Sequence, residues 1–293
     1  MKIGFIGLGI MGKPMVKNLL KANYELIVLS ANKAAAEIIA AGAKSAGTPR
    51  EVAAQSDVII TMLPNSPQVK EVLLGKDGVI EGAKPGTIVA DMSSIAPLVA
   101  QECAKKLAEK GIEMLDAPVS GGEPKAIEGT LAVMVGGKQE IFDKALPVLK
   151  TMAASVVRTG DIGAGNVTKL ANQVIVALNI AAMSEAYVLA TKAGVNPELV
   201  FNAIKGGLAG STVLNAKTPM VLERNFKPGF RVKLHIKDLQ NILDTSHEIG
   251  VPLPLTAAVM EMMQALKVDG EGESDHCALV KYYEKLSHVE VKR

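Results

Sequence analysis

The stretch "GFIGLGIMGKPM", Gly4 to Met15, decides the fold. Gly7, Gly9 and Gly12 fall in the spacing G-x-G-x-x-G, directly after the apolar strand pattern "KIGFI" and at the start of the helical pattern "IMGKPMVKNLLKA". That context is what the spacing needs to seat a dinucleotide. The first glycine permits a tight turn, the second lets a pyrophosphate approach the backbone, and the third lets the helix pack close to the strand. The helix N-terminus, at Ile10, Met11 and Gly12, offers N–H groups and a positive dipole end to the phosphates. A plain glycine turn would give the same three letters, so the surrounding chain has to decide.

That chain alternates. "KIGFIG", "ELIVLS", "DVIITML", "TIVADMS", "EMLDAPVS", "TLAVMVGG" and "SVVRTG" have strand character, and most are followed by an amphipathic stretch of helical length such as "PLVAQECAKKLAEKG". The rhythm predicts an α/β fold, with a Rossmann-like, doubly wound, mainly parallel sheet over residues 1–162. Beyond it, one unbroken helical pattern covers about residues 163–193, and breakers then separate further helices at "NPELVFNAIKGG", "TPMVLERN", "KLHIKDLQNILDTSHEIG", "PLTAAVMEMMQALKVDG" and "DHCALVKYYEKLS". Residues 163–293 therefore form an all-α second domain, with the long helix between the two domains.

Composition narrows the function. The 32 basic and 30 acidic side chains leave a net charge of +2, and four Tyr, five Phe and no Trp offer few stacking platforms, so nucleic acid is not an expected partner. Cys103 and Cys277 are too few for a disulfide framework or a thiolate metal site, which fits a reducing, cytoplasmic setting. No charged-then-apolar leader precedes "KIGFIG", and the apolar run Leu170 to Ala190 is interrupted by Asn172, Gln173, Asn179, Ser184 and Glu185, so a buried helix is expected rather than a membrane span. The four histidines lack metal-site spacing; no metal is expected, and His235 is expected at the surface or in a cleft. The long apolar helix and the Met-rich "VMEMMQAL" exceed what one domain buries, which predicts a homodimer or homotetramer.

Three segments carry candidate chemistry. The second strand ends "VLSANK" without the acid that usually bonds an adenosine ribose, and Ser30, Asn32 and Lys33 offer donors for a 2′-phosphate, so the cofactor is NAD or NADP with a slight lean to NADP tolerance. Ser120, Gly121 and Gly122 end a strand with a hydroxyl and backbone N–H groups suited to a substrate carboxylate, though an ordinary turn has the same composition. Lys169 lies near the start of the long helix with Asn172 and Gln173 at i+3 and i+4. A cation in an apolar helix is costly unless it faces a polar cleft, and there it could give a proton to a carbonyl oxygen as hydride arrives. A lysine snorkelling at a helix edge is the alternative.

Together "GFIGLGIMGKPM", "DAPVSGG", "GAGNVTKLANQ" and "HIKDL", in this order, resemble the signature segments of the β-hydroxyacid dehydrogenase (3-hydroxyisobutyrate dehydrogenase-like) family, along essentially the whole chain. The resemblance implies that Lys169 is the catalytic acid and base, that Ser120 to Gly122 grip the substrate carboxylate, and that Asn172 or Gln173 holds the substrate. It also implies cofactor contacts at Leu63, Pro64, Asn65, Ser94, Phe230 and Lys237. Within the family, "DMSSIAP", "GGLAGSTVL", "NFKPGF" and "LPLTAAVMEMMQAL" are most similar to members that reduce tartronate semialdehyde to D-glycerate. 3-Hydroxyisobutyrate dehydrogenase and succinic semialdehyde reductase activities are the alternatives inside the family, and a non-catalytic NADP-binding scaffold is the alternative outside it.

Overall fold

In the computed structural model, which describes residues 1–30 and 34–293, the opening pattern forms β1 (Lys2–Ile6), and its glycine turn leads into α1 (Gly12–Lys21). The alternation continues through β2 (Glu25–Leu29), α2 (Ala35–Ala40), β3 (Lys44–Ala46), α3 (Pro49–Ala54), β4 (Val58–Thr61), α4 (Ser66–Leu74) and α5 (Val79–Gly82). It is completed by β5 (Ile88–Asp91), α6 (Pro97–Ala108), β6 (Glu113–Asp116), β7 (Val119–Ser120), α7 (Gly122–Glu128), β8 (Leu131–Gly136), α8 (Gln139–Lys150) and β9 (Ala153–Gly160). The strands form one sheet in the order β3-β2-β1-β4-β5-β6-β8-β7, with β9 on β8. The first six positions are those of a doubly wound dinucleotide fold, in which ligands bind outside the carboxyl ends of the strands where the order reverses, here between β1 and β4.

Alternate side chains of each strand enter opposite faces. Ile3, Phe5, Val28 and Ile60 pack under Met15 and Leu19 of α1 and Phe142 of α8. Ile6, Ile27, Ile59 and Val89 pack under Val52 of α3, Leu73 of α4 and Leu107 of α6. Covering both faces in this way is why the central strands read as unbroken apolar runs. At their carboxyl ends Ile6, Thr61, Asp91 and Asp116 are neighbours in register across β1, β4, β5 and β6.

The sheet differs from the sequence reading in three places. The three-residue β3 is too short to show alternation and was not predicted. "EMLDAPVS" divides into β6 and β7 at Ala117-Pro118, because proline has no N–H to donate to a ladder. β8 runs antiparallel to β6 and β7 and returns to parallel pairing only with β9.

The long helical pattern forms α9 (Ala164–Lys192). Its N-terminus is held by Asp116: Oδ1 accepts from the Gly163 N–H at 2.7 Å, and Oδ2 from the Asn166 N–H at 2.6 Å. These are donors that a helix start leaves without partners, and a carboxylate there also meets the positive end of the dipole. The helix stops at Gly194, whose φ of +79° suits a left-handed cap, with the Val195 N–H reaching the Ala190 carbonyl at 2.9 Å. The chain divides into two compact units, Met1–Lys169 and Leu170–Arg293, with the division inside α9.

The second unit is helical: the remainder of α9, then α10 (Pro197–Ile204), α11 (Thr212–Leu222), α12 (Val232–Glu248), α13 (Pro254–Val268) and α14 (Val280–Ser287), with 3-10 turns at Glu271–Glu273 and His276–Leu279. Ala177, Ile180 and Tyr187 of α9 meet Val221, Leu239, Met263 and Val280 in its core. By length and composition alone α9 would suffice to cross a bilayer. The helix expected at "TPMVLERN" begins earlier, because Ser211 caps it by accepting the Leu214 N–H at 2.9 Å, and Pro219 sits inside it. His235, expected at the surface or in a cleft, is completely buried.

Replacing Asp116 with alanine removes the acceptor from two buried N–H groups. Urea unfolding of the first unit is expected to show a loss of about 2–3 kcal/mol. An unchanged midpoint would show that α9 does not depend on this cap.

Candidate active site

The glycine turn has the geometry of a cradle. Gly7 has φ of +113°, and a Cβ there would lie 2.2 Å from the Met62 carbonyl oxygen. A Cβ on Gly12 would lie 1.8 Å from the Gly7 carbonyl oxygen, so only glycine lets α1 come down onto the turn. A Cβ on Gly9 would meet nothing within 4 Å. The space above Gly9 is thus the open mouth of the turn, and Gly9 and Ile10 are exposed beside it. No acidic residue occupies the first turn of α1, and Met11 at its N-cap supplies no side-chain cap. The residues present fit a dinucleotide pyrophosphate: a donor-rich helix start, no competing carboxylate, and backbone open to close approach.

Around this cradle the first unit gathers the ends of β4 and β5. Leu63, Pro64 and Asn65 lead from β4 into α4, and the Leu63 N–H donates to Ser93 Oγ at 2.9 Å. Ser94 follows on the same turn after β5, half-buried. Ser30 directly follows β2, and its hydroxyl donates to the Ala46 carbonyl at 2.9 Å. Asn32 and Lys33 lie outside the described residues.

Ser120 ends β7 half-buried, and Gly121 and Gly122 form the start of α7, where Gly121 is exposed with φ of +136°. Lys169 is buried in the second turn of α9, at 7% exposure. Asn166, one turn earlier, is completely buried; its Oδ1 accepts the Ile95 N–H at 3.0 Å, while its own N–H is held by Asp116. The start of the lysine's helix is therefore tied both to the end of β6 and to the loop after β5.

In the second unit, a chain of polar contacts links α9 to α12. The Asn172 amide donates to Gln173 Oε1 at 2.8 Å, Gln173 Nε2 donates to Asp238 Oδ2 at 2.6 Å, and Asp238 Oδ1 pairs with Lys237 Nζ at 2.7 Å. Gln173 is buried and engaged at both ends of its amide, whereas Asn172 is half-buried. Phe230 precedes α12, and its N–H donates to Asp275 Oδ2 at 3.1 Å. Asp275 also accepts from Lys217, Gly229 and Cys277. Burial would raise its pKa, but His276 and Lys217 beside it and the N–H donors outweigh burial and hold it at about 2. Nδ1 of His235 lies 3.0 Å from Nδ1 of His276, and Phe230 presents an edge to both rings.

Asp91, Asp116, Asp238 and Asp275 are not among the site residues expected from the sequence, and an acid closing an apolar strand, as in "TIVAD" and "EMLD", is the sequence signal for the first two. Among the described residues, no group of three or more His, Cys, Asp or Glu side chains is placed to hold a metal ion.

A doubly wound sheet with an open glycine cradle at its switch point, joined to a helical unit, defines an NAD(P)-dependent dehydrogenase. Residues 2–160 match the family model of the NAD binding domain of 6-phosphogluconate dehydrogenase, and residues 163–283 that of the NAD-binding domain of NADP-dependent 3-hydroxyisobutyrate dehydrogenase. The chain is 42% identical to 2-hydroxy-3-oxopropionate reductase of Escherichia coli (strain K12), over 98% of this chain and 99% of that one. It is 40% identical to 2-(hydroxymethyl)glutarate dehydrogenase of Eubacterium barkeri, over 99% and 97%. Its fold superimposes on 3-hydroxyisobutyrate dehydrogenase of Mycobacterium tuberculosis with a TM-score of 0.90 at 32% identity, covering 96% of this chain and 98% of that one. The chain belongs to the β-hydroxyacid dehydrogenase family, the 3-hydroxyisobutyrate dehydrogenase-like oxidoreductases, and its cofactor is NAD or NADP.

The two glycines make opposite predictions. Gly12→Ala is expected to destabilise the first unit by about 1–3 kcal/mol through overpacking. Gly9→Ala is expected to leave the melting temperature within about a degree, because little is packed there, while weakening dinucleotide binding at least tenfold in a fluorescence titration. Equal effects of both on stability would remove the cradle argument.

Proposed function

We propose that this dehydrogenase reduces tartronate semialdehyde to D-glycerate reversibly, with Lys169 as general acid and base. The observation that carries the reading is the placement of Lys169. It is a buried cation on a helix rooted at Asp116, and Asp116 stands in the same register row that leads, at Ile6, into the glycine cradle. The similarity to 2-hydroxy-3-oxopropionate reductase supports this substrate over the other semialdehydes of the family.

The bound nicotinamide supplies the hydride, or takes it in the reverse direction. Every other part of the reaction falls to the chain. The Ser120 hydroxyl and the N–H groups of Gly121 and Gly122 hold the substrate carboxylate, which fixes the position of the aldehyde carbon. The Lys169 ammonium gives a proton to the carbonyl oxygen as the carbon becomes a primary alcohol, and the neutral amine takes that proton back when the alcohol is oxidised. Asn172 is the amide that holds the substrate, since Gln173 is engaged by Asn172 on one side and Asp238 on the other. Leu63, Pro64, Asn65, Ser94, Phe230 and Lys237 line the cofactor.

The reading extends to a cytoplasmic homodimer or homotetramer acting on a small molecule, with neither nucleic acid nor membrane as partner. Large apolar side chains more than half exposed on α9 and α10, among them Ile175, Leu189 and Leu199, support self-association. The two cysteines, both free and buried, fit a reducing compartment.

Lys169→Ala is expected to lower kcat by about 10²–10⁴-fold while the dissociation constant for the dinucleotide changes less than threefold. Near-wild-type turnover would overturn the mechanism. Comparing kcat/KM for tartronate, methylmalonate and succinate semialdehydes, each with NADH and with NADPH, tests the substrate. Preference for either of the latter two would move the protein to another activity within the family.

A further inference from the structure

Asp91, the last residue of β5, has no part in the mechanism above, yet it ties together both loops that line the cofactor seat in the first unit. It is completely buried. Its Oδ1 accepts from the Thr61 hydroxyl at 2.7 Å and from the Ser93 N–H at 3.2 Å. Ser93 Oγ in turn accepts the Leu63 N–H. A single carboxylate thus connects the end of β4, the Leu63–Asn65 loop and the Ser93–Ser94 turn. Its other oxygen, Oδ2, is buried without a hydrogen-bond partner among the described residues.

The groups facing Asp91 make it the place where a proton settles. On β6 its register partner is Asp116, a second buried carboxylate that disfavours ionisation of Asp91. Burial raises Asp116 as well, against the N–H groups of Gly163 and Asn166 and the Asn166 amide, which give both of its oxygens donors; Asp91 has donors on one oxygen only. From β4 it meets the neutral Thr61 hydroxyl. From α6 it meets Cys103, whose thiol is pushed up to about 12 by burial and by Asp91 itself and stays neutral. Glu102 beside that thiol is paired with Lys70 of α4 at the surface. Burial and, more weakly, Asp116 raise Asp91 to about 6, against the hydrogen bonds of Ser93 and Thr61.

We propose that Asp91 is a positioning residue for the cofactor seat, and that it takes up a proton from solvent as the dinucleotide binds. The proposal rests on the assignment of the Gly7–Gly12 turn and the Leu63–Asn65 loop to the cofactor. The pyrophosphate places a second anion at the same edge of the sheet, over β1, two strands from β5. Acting through the buried strand ends at Thr61 and Asp91, that charge opposes an ionised Asp91, and binding therefore favours the protonated form. By linkage, protonation must favour binding by the same factor. Dinucleotide affinity then falls as pH rises through 6, by on the order of three- to tenfold between pH 5.5 and 7.5.

The test compares wild type with Asp91→Asn, which keeps an acceptor for Thr61 and Ser93 but cannot ionise. NADH binding is measured by calorimetry at pH 6.5 in two buffers of different ionisation enthalpy. Wild type is expected to take up a fraction of a proton that the Asn variant does not, and the variant's affinity is expected to be flat over the same pH range. Asp91→Ala, which leaves Thr61 and Ser93 without their acceptor, is expected to bind at least tenfold more weakly than Asp91→Asn. Without ligand, a carboxyl raised above its ordinary value costs stability as pH rises from about 4 to 6, because the folded state binds the extra proton. The melting temperature of wild type relative to Asp91→Asn is therefore expected to fall over that window. Equal proton uptake by wild type and the Asn variant would overturn the proposal. Failure of both proteins to bind either NADH or NADPH would overturn the cofactor seat itself, and the proposal with it.

Discussion

The carboxylate of Asp116 on the first turn of α9 is the contact from which the placement of the chemistry follows. A helix start presents N–H groups with no partner in the helix, and a strand end presents a side chain in a known direction. Joining the two fixes the first turn of α9 against the end of β6. Asn166 then links that turn to Ile95 after β5, so the helix is held at two neighbouring strand ends rather than one. Lys169 follows within one turn. The position of its backbone relative to the sheet edge is therefore set by the hydrogen bonds of the helix start.

In the second unit a comparable arrangement uses different residues. Asp238 divides its oxygens between Lys237 and Gln173, and Asp275 divides its own between Lys217 and a group of backbone N–H donors that includes Phe230. Lys237 and Phe230, expected beside the nicotinamide, are thus held by buried acids. Burying such a carboxylate is costly, and the cost is offset only when each oxygen has its donors.

The sequence made legible whatever depends on short spacing. The glycine cradle, the alternating strands and the lysine on an apolar helix all lie within windows of a few residues, where period and turn chemistry are set locally. β3 escaped because three residues carry no period. The acids at the strand ends escaped for a different reason. Asp91 and Asp116 each look like the first polar residue after an apolar run, and only the pairing of β5 with β6 puts them side by side. His235 and His276, 41 residues apart, meet only when the helical unit has folded. The burial of His235 was nonetheless foreshadowed by its place beside Ile236, Leu239 and Ile242 on the apolar face of α12.

Asp116, Asp238 and Asp275 share one design: each oxygen meets a donor, and two of the three carboxylates also meet a lysine. Asp91 departs from it. Its donors crowd onto Oδ1, its neighbour in register is another acid, and no lysine or arginine pairs with it among the described residues. A site selected for rigidity alone would be better served by asparagine at this position, which accepts the same bonds without a charge to bury. An ionisable group kept where a neutral one would hold the loops equally well implies that its charge has a use, and the nearest expected process that changes the local charge is the arrival of the dinucleotide.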